Sequence, residues 1–148
     1  MSAATTIPAA QTARRTKTST VLLAGLVAAI AALVGNTVVS QIALAAGASE
    51  EFQPLTVAAY GFFTVVGVVA GLVGWLLIRR TANAAATLRR LVPAVLIVSL
   101  VPDVLLGFSD RAGVSWTAVV ALMVMHVVVT VAAVTTFSRL LPVSRTAA

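Results

Sequence analysis

Hydrophobic residues dominate four long stretches of the chain, and the few polar residues mark where each begins and ends. From Thr20 to Ala46 only Asn36, Thr37, Ser40 and Gln41 interrupt an apolar run. A second run covers Leu55 to Ile78, a third Leu91 to Phe108, and a fourth Val114 to Phe137. An α-helix rises about 1.5 Å per residue, so about 20 apolar residues cross a hydrocarbon core of about 30 Å. The pattern therefore predicts an all-α fold, an integral membrane four-helix bundle with spans at about 20–46, 55–78, 91–108 and 114–137. Residues 1–19 are small and polar with no apolar period, and are expected to form a disordered cytoplasmic tail. Residues 142–148 are expected to form a second, short tail.

Composition narrows this to a single membrane domain. Of the 148 residues 60% are hydrophobic and 9% charged, far below the roughly 25% charged residues of soluble domains. A water-soluble fold of this size has nowhere to hide so much apolar surface. The formal charge of +6 does not point to nucleic acid, because the cations sit only at the ends of apolar runs and form no basic face on a soluble scaffold. Cysteine is absent, which removes disulfides, thiolate metal sites and thiol redox chemistry from consideration.

The distribution of charge predicts orientation. Arg14, Arg15, Lys17, Arg79, Arg80, Arg89, Arg90, Arg139 and Arg145 fall on one side of the expected bilayer, while Glu50, Glu51, Asp110 and Arg111 fall on the other. The positive-inside rule then puts both termini in the cytoplasm of a multi-pass plasma-membrane protein. Phe52, Tyr60, Phe108 and Trp116 lie near the outer ends of the spans and Trp75 and Phe137 near the inner ends, the placement of an aromatic belt. The segment from Thr81 to Arg90 is expected to be a short helical connection on the cytoplasmic side. A rival reading treats the first run as a secretory signal, with Ala43-Leu44-Ala45 as a cleavage site.

A few residues stand out within the spans. Gly67, Gly71 and Gly74 recur at helical spacing and include a G-x-x-x-G, a pattern that lets two helix backbones approach closely, either inside the bundle or between copies. Ala24, Ala28 and Ala32 make a similar stripe, continued by Asn36 and Ser40, and this stripe is expected to face the bundle interior. Asp103 follows Pro102 in the third span, where an unpaired carboxylate is costly and the proline frees the Val98 carbonyl and kinks the helix. His126 is the single histidine of the chain and lies near the middle of the fourth span. By depth, Asn36, Asp103 and His126 are able to form a polar cluster joining the first, third and fourth helices.

Catalytic patterns are missing. There is no phosphate-binding loop, no H-E-x-x-H and no G-x-S-x-G, and Asp103 has no second membrane carboxylate with which to form a dyad. One histidine and one carboxylate supply too few ligands for a metal. The sequence thus predicts no enzyme, no metal and no cofactor. Its expected partners are the lipid bilayer and either further copies of itself or another membrane protein, with no nucleic acid.

The segments Gly71-Leu72-Val73-Gly74-Trp75, Leu96-Ile97-Val98-Ser99-Leu100-Val101-Pro102 and Val120-Ala121-Leu122-Met123-Val124-Met125-His126 resemble a family of small actinobacterial membrane proteins known as a domain of unknown function. The likeness extends over roughly Thr20 to Leu141. It implies four helices, a basic second loop and a late histidine, and no activity. Small multidrug exporters are similar in helix number, but their mechanism uses a glutamate in the first helix, and Thr20 to Ala46 contains no acid. Two functions stay open: a non-enzymatic scaffold or small subunit, and a small proton- or cation-coupled transporter or channel subunit working through Asp103 and His126.

Overall fold

A computed structural model of the chain describes residues 17–143. The expected tail at residues 1–19 lies almost wholly outside the described residues, as does most of the tail at 142–148. Four helices make up the fold: α1 (Thr18–Ala45), α2 (Val57–Ile78), α3 (Ala84–Leu106) and α4 (Trp116–Leu140), with a short 3-10 turn at Gln53–Leu55. All four are long and apolar enough to cross a membrane.

The helix ends follow local chemistry. At the end of α1 the Ala48 amide donates to the Ala43 carbonyl and the Gly47 amide to the Leu44 carbonyl. This is a Schellman closure, and Gly47 takes the positive φ of 92° that it requires. Thr56 caps α2 by accepting from the Ala59 amide, and Ser115 caps α4 by accepting from the Ala118 amide, so each satisfies an amide that has no intrahelical partner.

The third helix differs from expectation. It begins at Ala84 and not near Leu91, so most of the predicted connection is the first two turns of α3, and the link from α2 is only the turn after Ile78. Ala84, Ala85, Ala86 and Leu88 are strong helix formers, and nothing between them and Val92 stops the helix. Pro93 and Pro102 both lie inside α3, which continues as helix through each.

The bundle is organised around α1 and α4, which share the most extensive interface, with α2 against both and α3 against α4. Ala24, Ala28, Ala32, Asn36, Ser40 and Ala43 form the buried face of α1, so the small-residue stripe does face the interior. Gly35 shows how close this packing is: a methyl group added there would sit 2.6 Å from Cγ1 of Val128. The other faces turn outward, with Leu22, Ile30, Phe62, Phe63, Ile97, Val98, Val120 and Val131 all exposed. Apolar surface on this scale suits lipid and not water.

Two buried clusters hold the ends. One joins Val68, Trp75, Leu88, Phe137 and Leu141 at the arginine-rich end. The other joins Phe52, Leu55, Tyr60, Ala118, Leu122 and Met125 at the acidic end. Phe52, Tyr60, Trp75 and Phe137 are thus core residues and not members of an interfacial belt. Phe108 and Trp116 are exposed and stack edge to face at 5.4 Å, as a belt pair would.

The glycines of α2 do not carry a close backbone approach. A methyl at Gly67 would meet Val129 at 3.7 Å and one at Gly71 would meet Phe137 at 3.9 Å, both ordinary contacts, and Gly74 faces open space. Among the glycines within the helices, the tight positions are Gly25, opposite Leu72 at 3.1 Å, and Gly35.

Candidate functional site

Asp103 and His126 meet. Asp103 lies three residues before the end of α3 and is buried, with 7% of its surface exposed. His126 lies ten residues into α4, about 15 Å along that helix from its start. The imidazole leans back toward the start of α4, bringing Nδ1 to 3.0 Å from the Leu122 carbonyl oxygen one turn earlier. That lean carries the ring toward the last turn of α3, where Nδ1 comes to 2.9 Å from Oδ2 of Asp103.

Two acceptors therefore face one ring nitrogen. The line from Nδ1 to Leu122 has the geometry of a hydrogen bond, whereas Oδ2 of Asp103 makes no aligned bond and lies beside the same nitrogen. The Leu122 carbonyl fixes the tautomer. A lone pair on Nδ1 would face the carbonyl oxygen at 3.0 Å, so the proton belongs on Nδ1, and Nε2 takes the outer edge of the ring. The histidine side chain is 39% exposed against 10% for the carboxylate. The pair is thus a buried acid covered by a half-exposed imidazole, able to share or pass a proton.

Asn36 does not join them. Its amide nitrogen donates to Oγ1 of Thr64 at 2.7 Å, a buried bond between α1 and α2, and the predicted cluster of three separates into two pairs. The reason is rotational: Asn36 belongs to the alanine stripe of α1, and the nearest hydroxyl across that interface is on α2. The amide oxygen of Asn36 is buried with no hydrogen-bond partner among the described residues.

Further polar bonds tie the helices, and none of them follows from the depth of polar residues along the spans. Thr37 and Tyr60 share a hydrogen bond at 3.0 Å, Ser40 donates to the Leu55 carbonyl at 2.9 Å, and the Trp75 indole donates to the Leu141 carbonyl at 2.9 Å. The sequence does carry one signal for the hydroxyls of α2: Tyr60 and Thr64 are four residues apart, which places both on one face of that helix.

Two grooves lie elsewhere. One, at the arginine-rich end, is lined by Trp75, Arg89, Val92 and Val134 among others, and a smaller one near Arg111 is lined by Phe62 and Phe63. Neither is lined by Asp103 or His126. Among the described residues no group of three or more His, Cys, Asp or Glu is placed to hold a metal ion.

No curated protein and no solved structure is significantly similar to this chain. A family model does match it over residues 8–142, nearly the whole length. The chain belongs to that family, DUF6069, a family of unknown function.

Proposed function

We propose that the protein is a non-enzymatic, multi-pass component of the cell membrane, a scaffold or small subunit with both termini in the cytoplasm. The observation that carries this reading is the use made of the polar side chains in the spans. Asn36 with Thr64, Thr37 with Tyr60, Ser40 with Leu55, Trp75 with Leu141 and Asp103 with His126 each join one part of the bundle to another. Such bonds hold helices in register inside lipid, at about 0.6 to 1.7 kcal/mol each. The arginines at one end and the glutamates at the other support the orientation.

A second reading rests on the Asp103–His126 contact. A carboxylate and an imidazole 2.9 Å apart within apolar helices have the chemistry of a proton or cation site, and intramembrane pairs of this kind mark ion pathways in transporters. On this reading the protein works as an oligomer, since four helices enclose little space.

Two measurements test these readings. Single cysteines at Ser49, Asn83 and Ser109, probed on intact cells with an impermeant thiol reagent, test the orientation. Labelling of Ser49 and Ser109 alone is expected, and labelling of Asn83 would refute it. Proteoliposomes loaded with a pH-sensitive dye then compare the native protein with Asp103→Asn and His126→Ala. The scaffold reading expects no flux from any of them and a lower yield or stability of the variants. Flux that both substitutions abolish in folded protein would establish the transporter reading in its place.

A further inference from the structure

Over its length α3 packs more on α4 than on α2, and at the arginine-rich end a groove of about 970 Å³ opens between the three helices. That volume is at the upper end of the roughly 300–1,000 Å³ typical of sites for small organic ligands. Its walls and rim differ in chemistry. Val92 and Pro93 of α3 and Val134 of α4 make an apolar wall, while Asn83, Arg89 and Ser138 supply polar groups. No salt bridge engages Arg89 among the described residues. Every acid of the chain, Glu50, Glu51, Asp103 and Asp110, belongs to the other half of the bundle, and Arg80, Arg90 and Arg139 add positive charge at this end.

We propose that this groove is a binding site for one anionic phospholipid. The phosphate lies against Arg89, within reach of the Ser138 hydroxyl and the Asn83 amide, and an acyl chain runs along Val92, Pro93 and Val134. The charge complementarity selects an anion, and the apolar wall selects one that carries a hydrocarbon chain. A free phosphate would leave the wall uncovered, and a zwitterionic lipid would leave the excess of arginine unanswered. Basic pockets between membrane helices recognise lipid headgroups on this principle. The proposal rests on the bundle crossing a bilayer, which the thiol-labelling experiment tests separately, and it does not depend on which termini face the cytoplasm.

Trp75 lines the groove and provides the readout. In a Trp116→Phe background it is the single tryptophan, because the chain has two. The purified full chain in detergent is titrated with phosphatidylglycerol or phosphatidylcholine brominated on an acyl chain, with circular dichroism and gel filtration confirming folded protein. Phosphatidylglycerol is expected to quench Trp75 at the lower concentration. Arg89→Gln should weaken that quenching about fivefold, the weight of one arginine near a lipid surface. Arg80→Gln, which removes the same charge outside the groove, should change it less than twofold. Val134→Phe, which narrows the wall, should weaken quenching with every arginine in place. Equal quenching by the two lipids would overturn the proposal, as would equal losses from Arg80→Gln and Arg89→Gln, since diffuse attraction to the surface would then account for binding. Displacement of the lipid by millimolar inorganic phosphate would overturn it too, by showing an anion site indifferent to the acyl chain.

Discussion

Replacing His126 by leucine is expected to destabilise the bundle more than replacing Asp103 by leucine, and replacing both is expected to cost less than the two single losses combined. The asymmetry comes from what each substitution leaves behind. His126→Leu strands a carboxyl that is 7% exposed and whose neighbour at 2.9 Å was that imidazole. An aspartate at the centre of a membrane helix costs about 2.5 to 3.5 kcal/mol. Asp103 is three residues from the end of α3 and so away from the centre of the span, and about 2 kcal/mol is the expected loss. Asp103→Leu leaves an imidazole that is half exposed and still faces the Leu122 carbonyl, so its loss should stay below about 1 kcal/mol. The double variant strands nothing, and apolar replacements of buried charge pairs are often neutral or better. With a neutral double variant the coupling energy should therefore be about 2–3 kcal/mol. Unfolding in mixed micelles by added dodecyl sulfate, followed by far-ultraviolet circular dichroism, measures all four proteins. Equal single losses that add in the double variant would refute the reasoning, because the two side chains would then contribute independently.

Packing supplies further expectations in the same unfolding assay. Gly35→Ala puts a methyl 2.6 Å from Val128, and the strain of about 1–3 kcal/mol should outweigh the roughly 1 kcal/mol that alanine gains over glycine in a helix. Gly74→Ala, with nothing within 4 Å, should be neutral or stabilising, and a loss there would contradict the placement of that glycine. Thr64→Val removes the acceptor of the buried Asn36 amide and should cost about 1 kcal/mol, whereas no loss would mean that Asn36 finds another partner. Gly113→Ala should be destabilising, since Gly113 has a φ of 74° and a methyl there would lie 2.8 Å from the Phe52 amide nitrogen; an unfolding midpoint unchanged from the native protein would count against the docking of the two loops at the acidic end.

The four helices are legible in the apolar runs of the sequence, because length and hydropathy alone decide which segments can cross a bilayer. The buried stripe on α1 is legible for a different reason. Ala24, Ala28, Ala32, Asn36 and Ser40 are small and polar residues that recur every four positions, and in lipid it is small and polar residues, not large apolar ones, that mark an interface. Inside the bundle the same rule does not extend to Gly67 and Gly71, where small residues sit at the side of α4 against ordinary side-chain contacts. Pairing is the part that cannot be read. Depth along each helix is countable, and it brings Asp103 and His126 within reach of each other. Rotation is not countable where nearly every face is apolar, so depth groups Asn36 with them although its neighbour is Thr64. The start of α3 is hidden because Arg89 and Arg90 resemble the charged end of a connection, although arginine is a good helix former and here simply rides on the first turns of the helix.

The position of α3 depends on its two ends, and this leads to a last expectation. Only Ala84, Leu88 and Asp103 of α3 are buried, while Leu91, Val95, Ile97, Val98, Val101 and Leu105 are exposed. At the arginine-rich end Leu88 is anchored in the cluster with Trp75, Phe137 and Leu141. At the acidic end the anchors are Asp103 against His126 and Leu106 against the cluster around Phe52. Regions with few buried contacts open at the lowest free energy, so α3 should be the first helix to loosen. Pro102 adds to this at the acidic end, since it removes one amide from the helix one residue before Asp103. In hydrogen–deuterium exchange of the detergent-solubilised protein, His126→Leu should speed exchange from Val101 to Leu106 and leave the segment around Leu88 to Val92 close to native. A faster exchange along the whole of α3 would mean that the helix docks as one unit, and an unchanged profile would mean that the Asp103–His126 contact does not hold α3 in place.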